Sequence, residues 1–168
     1  MKLMIIILCL LLCYLIWQYQ ELKKFEVTEY ELHSKKVTEE LRIVMISDLH
    51  AHVYGKDNEP LFSAVREKKP DLILIPGDMI VGKKPASYET AYRAFEGLVP
   101  VAPVYFSNGN HESKPVRKNL PYSPDFFAYE KKVKKLGVHI LNNASETVRH
   151  GADEINIYGA EIDMACYA

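Results

Sequence analysis

The feature that most constrains the fold is an alternation of short apolar runs with amphipathic stretches through residues 41–141. Runs such as Leu72–Ile75 are short for helices and are typical of strands buried on both faces. The stretches between the runs carry apolar residues three or four positions apart, which is the spacing of one helix face. Strands that alternate with helices predict βαβ units around a largely parallel sheet, so we expect an α/β fold.

The apolar pattern also predicts where each element begins and ends. We expect the central strands at residues 41–47, 71–75 and 102–107, and the helices at residues 59–69, 87–98 and 123–136. Asn58 is expected to cap the first of these helices. Four further strands are predicted, one before this unit and three after it, at residues 25–33, 138–141, 146–149 and 155–159. Right-handed crossovers would bring the carboxyl ends of the central strands to one edge, where open α/β sheets bind ligands.

The first residues have the composition of a membrane segment. Residues 3–17 are almost wholly apolar, with Lys2 before them and two lysines, Lys23 and Lys24, after them. Fifteen helical residues extend about 22 Å, against about 30 Å of hydrocarbon, and a signal peptide has a core of similar length. No Ala, Gly or Ser precedes Ser34, so a cleavage site is missing and the cleaved signal is the weaker alternative. We predict an uncleaved anchor at residues 1–22 and one domain at residues 23–168, on the outer side of the cell membrane.

Charge and cysteine content exclude several classes of function. The net charge of −1 gives no sign of nucleic-acid binding. Of the three cysteines, Cys9 and Cys13 lie in the apolar segment and only Cys166 remains for the domain. Neither a disulfide framework nor a thiolate metal site can be built from one cysteine.

Polar residues of the kind that bind metals follow each of the three central strands. Asp48 and His50 follow the first, Asp78 follows the second after a glycine, and Gly109-Asn110-His111-Glu112 follows the third. On an extended segment, residues two apart point the same way, so Asp48 and His50 could bind one ion. Without a cation, a carboxylate at the end of so apolar a strand would cost on the order of several kcal/mol. The pattern therefore predicts a divalent metal site at this edge of the sheet.

These segments resemble the calcineurin-like metallophosphoesterases, in the order "SDLH", "PGD" and "GNHE". The stretches "KPDLILIPGD" and "VHILNN" are similar to a bacterial membrane-anchored subgroup of that family. The resemblance covers nearly the whole chain after the anchor. It implies the N-terminal half of an α/β/β/α sandwich and hydrolysis of a phosphomonoester or phosphodiester by two divalent ions, Mn, Fe, Zn or similar.

The resemblance also implies a role for each site residue. Asp48 and His50 would bind the first metal, Asp78 would bridge both metals, and Asn110 would bind the second. His111 would stabilise the phosphoryl transition state or protonate the leaving oxygen. Glu112, where the family usually has aspartate, would hydrogen-bond His111 and orient it. His52 is expected at the rim, and we expect the other histidines, His33, His139 and His150, at the surface.

The family's later Gly-His and Gly-His-x-His patterns are absent from these 168 residues. We therefore expect the chain to be an N-terminal portion of such an enzyme, and inactive by itself. The alternative is a non-catalytic anchored fragment that at most binds one metal weakly. A flavodoxin-like domain is a poorer interpretation, because no glycine-rich phosphate loop follows the first strand.

Overall fold

A computed structural model describes residues 2–81, 88–117 and 123–161. The helices are α1 (Lys2–Glu21), α2 (Glu59–Lys68), α3 (Tyr88–Leu98), α4 (Asn110–Arg117) and α5 (Ser123–Lys135). The strands are β1 (Ile43–Met45), β2 (Leu72–Ile75), β3 (Val104–Phe106), β4 (His139–Ile140), β5 (Ala144–His150) and β6 (Asp153–Gly159). The predicted first residue of α3, Ser87, lies outside the described residues.

A four-stranded parallel sheet in the order β1-β2-β3-β4 forms the centre of the fold. Val44 of β1 pairs with Ile73 of β2, which in turn pairs with Val104 of β3. Helices α2, α3 and α5 contribute to the main core, in which Ile73, Phe95 and Val133 are fully buried. The predicted α/β fold with a parallel sheet is confirmed.

The antiparallel hairpin of β5 and β6 joins a second, smaller core. Val148 of β5 and Ile157 of β6 pack against a cluster that contains Leu72 and Tyr105. The three predicted C-terminal strands are thus present, although only the first of them, β4, belongs to the parallel sheet. Strand β1 lies at one edge of that sheet.

The strand predicted at residues 25–33 is absent, and the structure corrects this expectation. The segment has no regular secondary structure and is connected to the domain through side chains. The Phe25 ring contacts the Tyr54 ring edge-on at 5.0 Å between centroids, and Glu29 forms an ion pair with Lys68. Further along, Asp153 accepts a hydrogen bond from the Thr38 backbone at 2.7 Å. Side-chain contacts therefore fix this segment where strand pairing was expected.

Asn58 precedes α2 but does not cap it as predicted. Its side chain makes no cap hydrogen bond; instead Oδ1 accepts the backbone N–H of Tyr54 at 2.7 Å. With φ at 62°, the residue has left-handed backbone geometry, whereas a capping side chain usually extends from the β region. Asn58 thus stabilises the loop before the helix rather than the helix end.

Helix α1 is longer than the apolar run from which it was predicted. Its 20 residues extend about 30 Å, which matches the hydrocarbon thickness of a bilayer. It has no buried residue, and it is the one described helix long and apolar enough to span a membrane.

Candidate metal centre

The loops that follow β1 and β2 run side by side beyond the ends of the strands. The backbone N–H of Asp48 donates to the carbonyl of Gly77 at 3.2 Å, and that of His50 donates to Asp78 at 2.9 Å. A third such bond joins Ala51 to the carbonyl of Met79 at 2.8 Å. This pairing fixes the two predicted metal-binding segments relative to each other.

Asp48, His50 and Asp78 converge at this edge as predicted. Each offers a ligand atom, and these atoms all lie within 4.8 Å of one another. His50 Nε2 lies 3.6 Å from Asp48 Oδ1. Two carboxylates and one imidazole form a donor set that suits a divalent ion such as Mn, Fe or Zn.

The convergence has a different backbone origin from the one expected. Asp48, His50 and Asp78 have φ angles of 57°, 45° and 55°, all in the left-handed region. Asp48 and His50 are therefore not on an extended segment, and the alternation of a strand does not explain their common direction. Three non-glycine residues in this region are unusual and represent local strain of the kind found at functional sites.

The orientation of His50 is consistent with a ligand role. Its Nδ1 lies 3.4 Å from the carbonyl oxygen of Ile80. A proton on Nδ1 suits this neighbour and leaves the lone pair of Nε2 free toward the two carboxylates. The Ser47 hydroxyl likewise donates to Asp48 Oδ2, which fixes the first carboxylate.

Asp78 is fixed by the loop that follows β3. Its Oδ1 accepts the backbone N–H of His111 at 2.9 Å. A Cβ at Gly109 would lie 2.3 Å from the same oxygen, so only glycine fits there. At Gly77, where φ is 118°, a Cβ would lie 2.2 Å from the Gly109 nitrogen. The two glycines thus allow the second and third loops to approach each other at the metal centre.

Glu112 has a role beyond the one expected for it. Its side chain is fully buried, and its oxygens accept backbone N–H groups of Gly109, Asp78, Met79 and Ile80 at 2.8–3.1 Å. These four bonds hold the loops after β2 and β3, and orientation of the His111 ring by Glu112 stays a prediction. Burial raises the pKa of the Glu112 carboxyl, and the N–H donors partly offset that rise.

His111 and Asn110 begin α4 beside the cluster. The rings of His111 and His50 meet edge-on at 4.7 Å between centroids. Asn110 is exposed. Its two chain neighbours both lie against Asp78: Gly109 packs closely on it, and the backbone N–H of His111 donates to its carboxylate. His111 therefore adjoins the cluster, whereas the position of the Asn110 side chain at the cluster and its binding of an ion stay predictions.

The remaining histidines lie apart from the cluster. His52 contacts the Tyr54 ring at 4.5 Å, which fits the rim position expected for it. His33 is exposed as predicted, but His139 is half-buried, pairing with Glu146 at 2.9 Å and stacking on Tyr105. His150 is also half-buried and lies near the carbonyl of Glu40, at 2.8 Å.

Glu112 is the residue whose contribution the sequence interpretation missed. A usable signal was its position in the first turn of a helix, where carboxylates typically meet unpaired backbone N–H groups.

Comparison with known families gives one match. Residues 41–163 match the sequence model of the family described as calcineurin-like phosphoesterase. A search of curated proteins finds no match. The matched range contains all the residues that converge at the sheet edge, and it begins after the helix α1.

Proposed function

Because the chain belongs to the calcineurin-like phosphoesterase family, we propose that it hydrolyses phosphate esters with divalent metal ions bound at the cluster described above. The observation that carries this proposal is the convergence of Asp48, His50 and Asp78 within 4.8 Å. Carboxylate and imidazole ligands at that separation have the chemistry of a catalytic divalent site. The substrate class is a phosphomonoester or a phosphodiester.

The proposal gives each ligand a position around two ions. Asp48 and His50 bind the first ion, Asp78 bridges both, and Asn110 contributes to the second. Such ions, when bound, supply Lewis-acid polarisation of the phosphate and activation of water. The two carboxylates, already held close together, would gain the positive partner that offsets their mutual repulsion.

His111 is the proposed proton donor to the leaving oxygen. Its ring lies against that of His50, so it borders the space in front of the ligands. Its backbone N–H bond to Asp78 couples its position to the bridging carboxylate. Glu112 supports the same arrangement indirectly, because its carboxylate accepts the backbone N–H of Asp78.

The proposal includes membrane attachment through the N-terminal helix. Residues 1–22 would form the anchor and residues 23–168 the phosphoesterase domain, on the outer side of the cell membrane. The length and apolar composition of α1 support the anchor.

Calorimetric titration with Mn²⁺ tests the metal centre. We expect Asp78→Asn to lower the affinity by at least about tenfold, since altered metal sites typically lose 10–100-fold. Asp125→Asn is the matched control, because Asp125 is an exposed residue of α5. Equal affinity in the Asp78→Asn and Asp125→Asn variants would contradict the proposed centre. Hydrolysis of an aryl phosphomonoester and an aryl phosphodiester tests the reaction and also the expectation that these 168 residues are inactive by themselves: turnover that Asp78→Asn abolishes would support the catalytic role of the cluster and overturn that expectation.

A second candidate function is binding of one metal without catalysis. His50 is the only imidazole in the described cluster, so the second ion would have few protein ligands, Asp78 and Asn110. Mn²⁺ binding that is lost in Asp78→Asn, without hydrolysis of either ester, would favour this candidate over the enzyme.

A further inference from the structure

The C-terminal end of α1 carries the residues that define a membrane interface. Tyr14, Trp17 and Tyr19 lie in its last two turns, and the Lys23 ammonium lies 4.0 Å from the centroid of the Tyr19 ring. Aromatic rings and lysines of this kind concentrate at the level of the lipid headgroups. The bilayer surface is therefore expected near the end of α1, at Glu21.

The next contact with the domain comes only four residues later. Four residues extend at most about 14 Å, so Phe25 stays close to the headgroup layer, which is itself about 5–7 Å thick on each side. Phe25 is half-buried and contacts Tyr54, 5.0 Å between ring centroids. Tyr54 contacts His52, which lies two residues after the metal ligand His50. A continuous line of contacts thus connects the membrane helix to the loop of the metal centre.

This part of the molecule exposes apolar side chains beside positive charges. Leu22 is 70% exposed and Val53, between His52 and Tyr54, is 42% exposed. Lys23 and Lys24 lie between Leu22 and Phe25 and are both exposed. Exposed apolar side chains and lysines close in sequence or contact to the end of α1 fit the phosphate-bearing headgroup region of a bilayer.

We propose that the rim of the metal centre, residues 52–54, rests on the lipid surface, and that the site takes phosphate esters carried by lipids in that surface. The substrate part rests on the proposed phosphoesterase function. The shared chemistry is a phosphate ester, and the short connection from α1 favours the lipid as its source. The loop 52–54 and the juxtamembrane residues 22–25 form the contact surface.

The orientation can be measured by fluorescence quenching without any catalysis. Trp17 is the only tryptophan, so Trp17→Phe removes all tryptophan fluorescence from the full chain. Val53→Trp is added to this background, and the protein is reconstituted in phosphatidylcholine vesicles with a nitroxide on the headgroup. Glu67→Trp is the matched control, because Glu67 is exposed on the last turn of α2, at the end away from the loop.

We expect Val53→Trp to lose most of its fluorescence and Glu67→Trp to lose little. Weak quenching of both, or strong quenching of both, would overturn the orientation, since the rim would then not be the part that meets the lipid. A loss of Val53→Trp fluorescence of the same size in vesicles without the nitroxide would mean that the label does not cause the loss. That outcome would also overturn the proposal.

Turnover then tests the source of the ester. The Mn²⁺-loaded full chain in vesicles is given phosphatidic acid in the bilayer or a water-soluble phosphomonoester. Faster hydrolysis of phosphatidic acid supports the inference, and faster hydrolysis of the soluble ester overturns its substrate part. If neither is hydrolysed while Val53→Trp is strongly quenched, catalysis by these 168 residues fails, as expected from the absence of the Gly-His patterns; the substrate part of the proposal then falls and the orientation stands.

Discussion

The carboxylate of Glu112 accepts the backbone N–H of Asp78 at 2.9 Å, while the carboxylate of Asp78 accepts the backbone N–H of His111 at 2.9 Å. Two neighbouring residues of α4 therefore hold Asp78 from opposite sides, one through its backbone and one through its side chain. These bonds connect the loop after β2 to the start of α4 and fix the position of Asp78.

Replacement of Glu112 is expected to destabilise the fold. Glu112→Ala leaves four backbone N–H groups without this acceptor, two of them in buried bonds and two in partly buried ones, so the free energy of unfolding should fall by about 3 kcal/mol or more. Glu112→Gln keeps one oxygen but turns an amide NH₂ toward the other donors, and we expect an intermediate loss of about 1–3 kcal/mol. Glu67→Gln, at an exposed position, should change stability by less than about 0.5 kcal/mol. Thermal denaturation in mild detergent measures all three, and a loss in Glu67→Gln as large as in Glu112→Ala would contradict this account.

A methyl group at Gly109 is expected to weaken metal binding. The Cβ of Gly109→Ala would lie 2.3 Å from Asp78 Oδ1, so the carboxylate must move away from its position. We predict Mn²⁺ affinity at least about tenfold lower. Gly137→Ala is the control: its φ of 96° makes the change strained, but no atom lies within 4 Å of the new Cβ. That variant should lose about 1–2 kcal/mol of stability and keep its Mn²⁺ affinity in calorimetry. Equal affinities in both variants would show that Asp78 tolerates the displacement.

Asp153 should make stability depend on acid pH. The backbone N–H of Thr38 is the main cause of its lowered pKa, with further bonds from Glu39 and the Thr38 hydroxyl. A carboxyl whose pKa is lower in the folded state stabilises the fold above its unfolded pKa. That contribution is lost as pH falls through the folded value, below about pH 4. Asp153→Asn should therefore be less stable than the parent chain at neutral pH, and the two should converge in acid. Unfolding temperatures measured against pH test this, with Asp125→Asn expected to follow the parent throughout.

The contact between Phe25 and Tyr54 should be measurable as a coupling energy. In a double-mutant cycle with Phe25→Leu and Tyr54→Leu, we expect about 0.5–1.5 kcal/mol, the usual range for an edge-on aromatic pair. The control cycle combines Phe25→Leu with Tyr158→Leu, since Tyr158 is 75% exposed on β6. Its coupling should be close to zero. A cycle for Phe25 and Tyr54 that also gave zero would mean that the segment after α1 is not fixed at this point.

The sequence predicted the central sheet because burial dominates its pattern. Leu72–Ile75 and Val104–Phe106 are apolar on both faces, and a buried strand leaves little freedom for another structure. The strand predicted at residues 25–33 was wrong for the opposite reason. Val27 and Thr28 favour strands, but both are exposed and no described strand pairs with them. Strand propensity depends on such neighbours, so local composition could not decide this segment.

The identities of the clustered residues were predictable, but their geometry was not. Parallel strands bring their carboxyl ends to one edge, so Asp48, His50 and Asp78 had to lie near one another once the strands were known. The left-handed backbone at these residues has only a weak sequence signal, because aspartate and histidine are enriched in that region but adopt it only in particular contexts. Helix α4 escaped prediction because "NHESKPVR" has no apolar periodicity and contains a proline.

The hydrogen bond from Thr38 to Asp153 joins residues 115 positions apart in the sequence. This separation determines how long after the synthesis of Thr38 the bond can form. At about 5–20 residues per second, Asp153 is synthesised roughly 6–23 s after Thr38. During that interval α1 is already complete, while the segment beyond it still lacks this attachment. The segment between α1 and β1 is therefore fixed to the rest of the fold only late in synthesis.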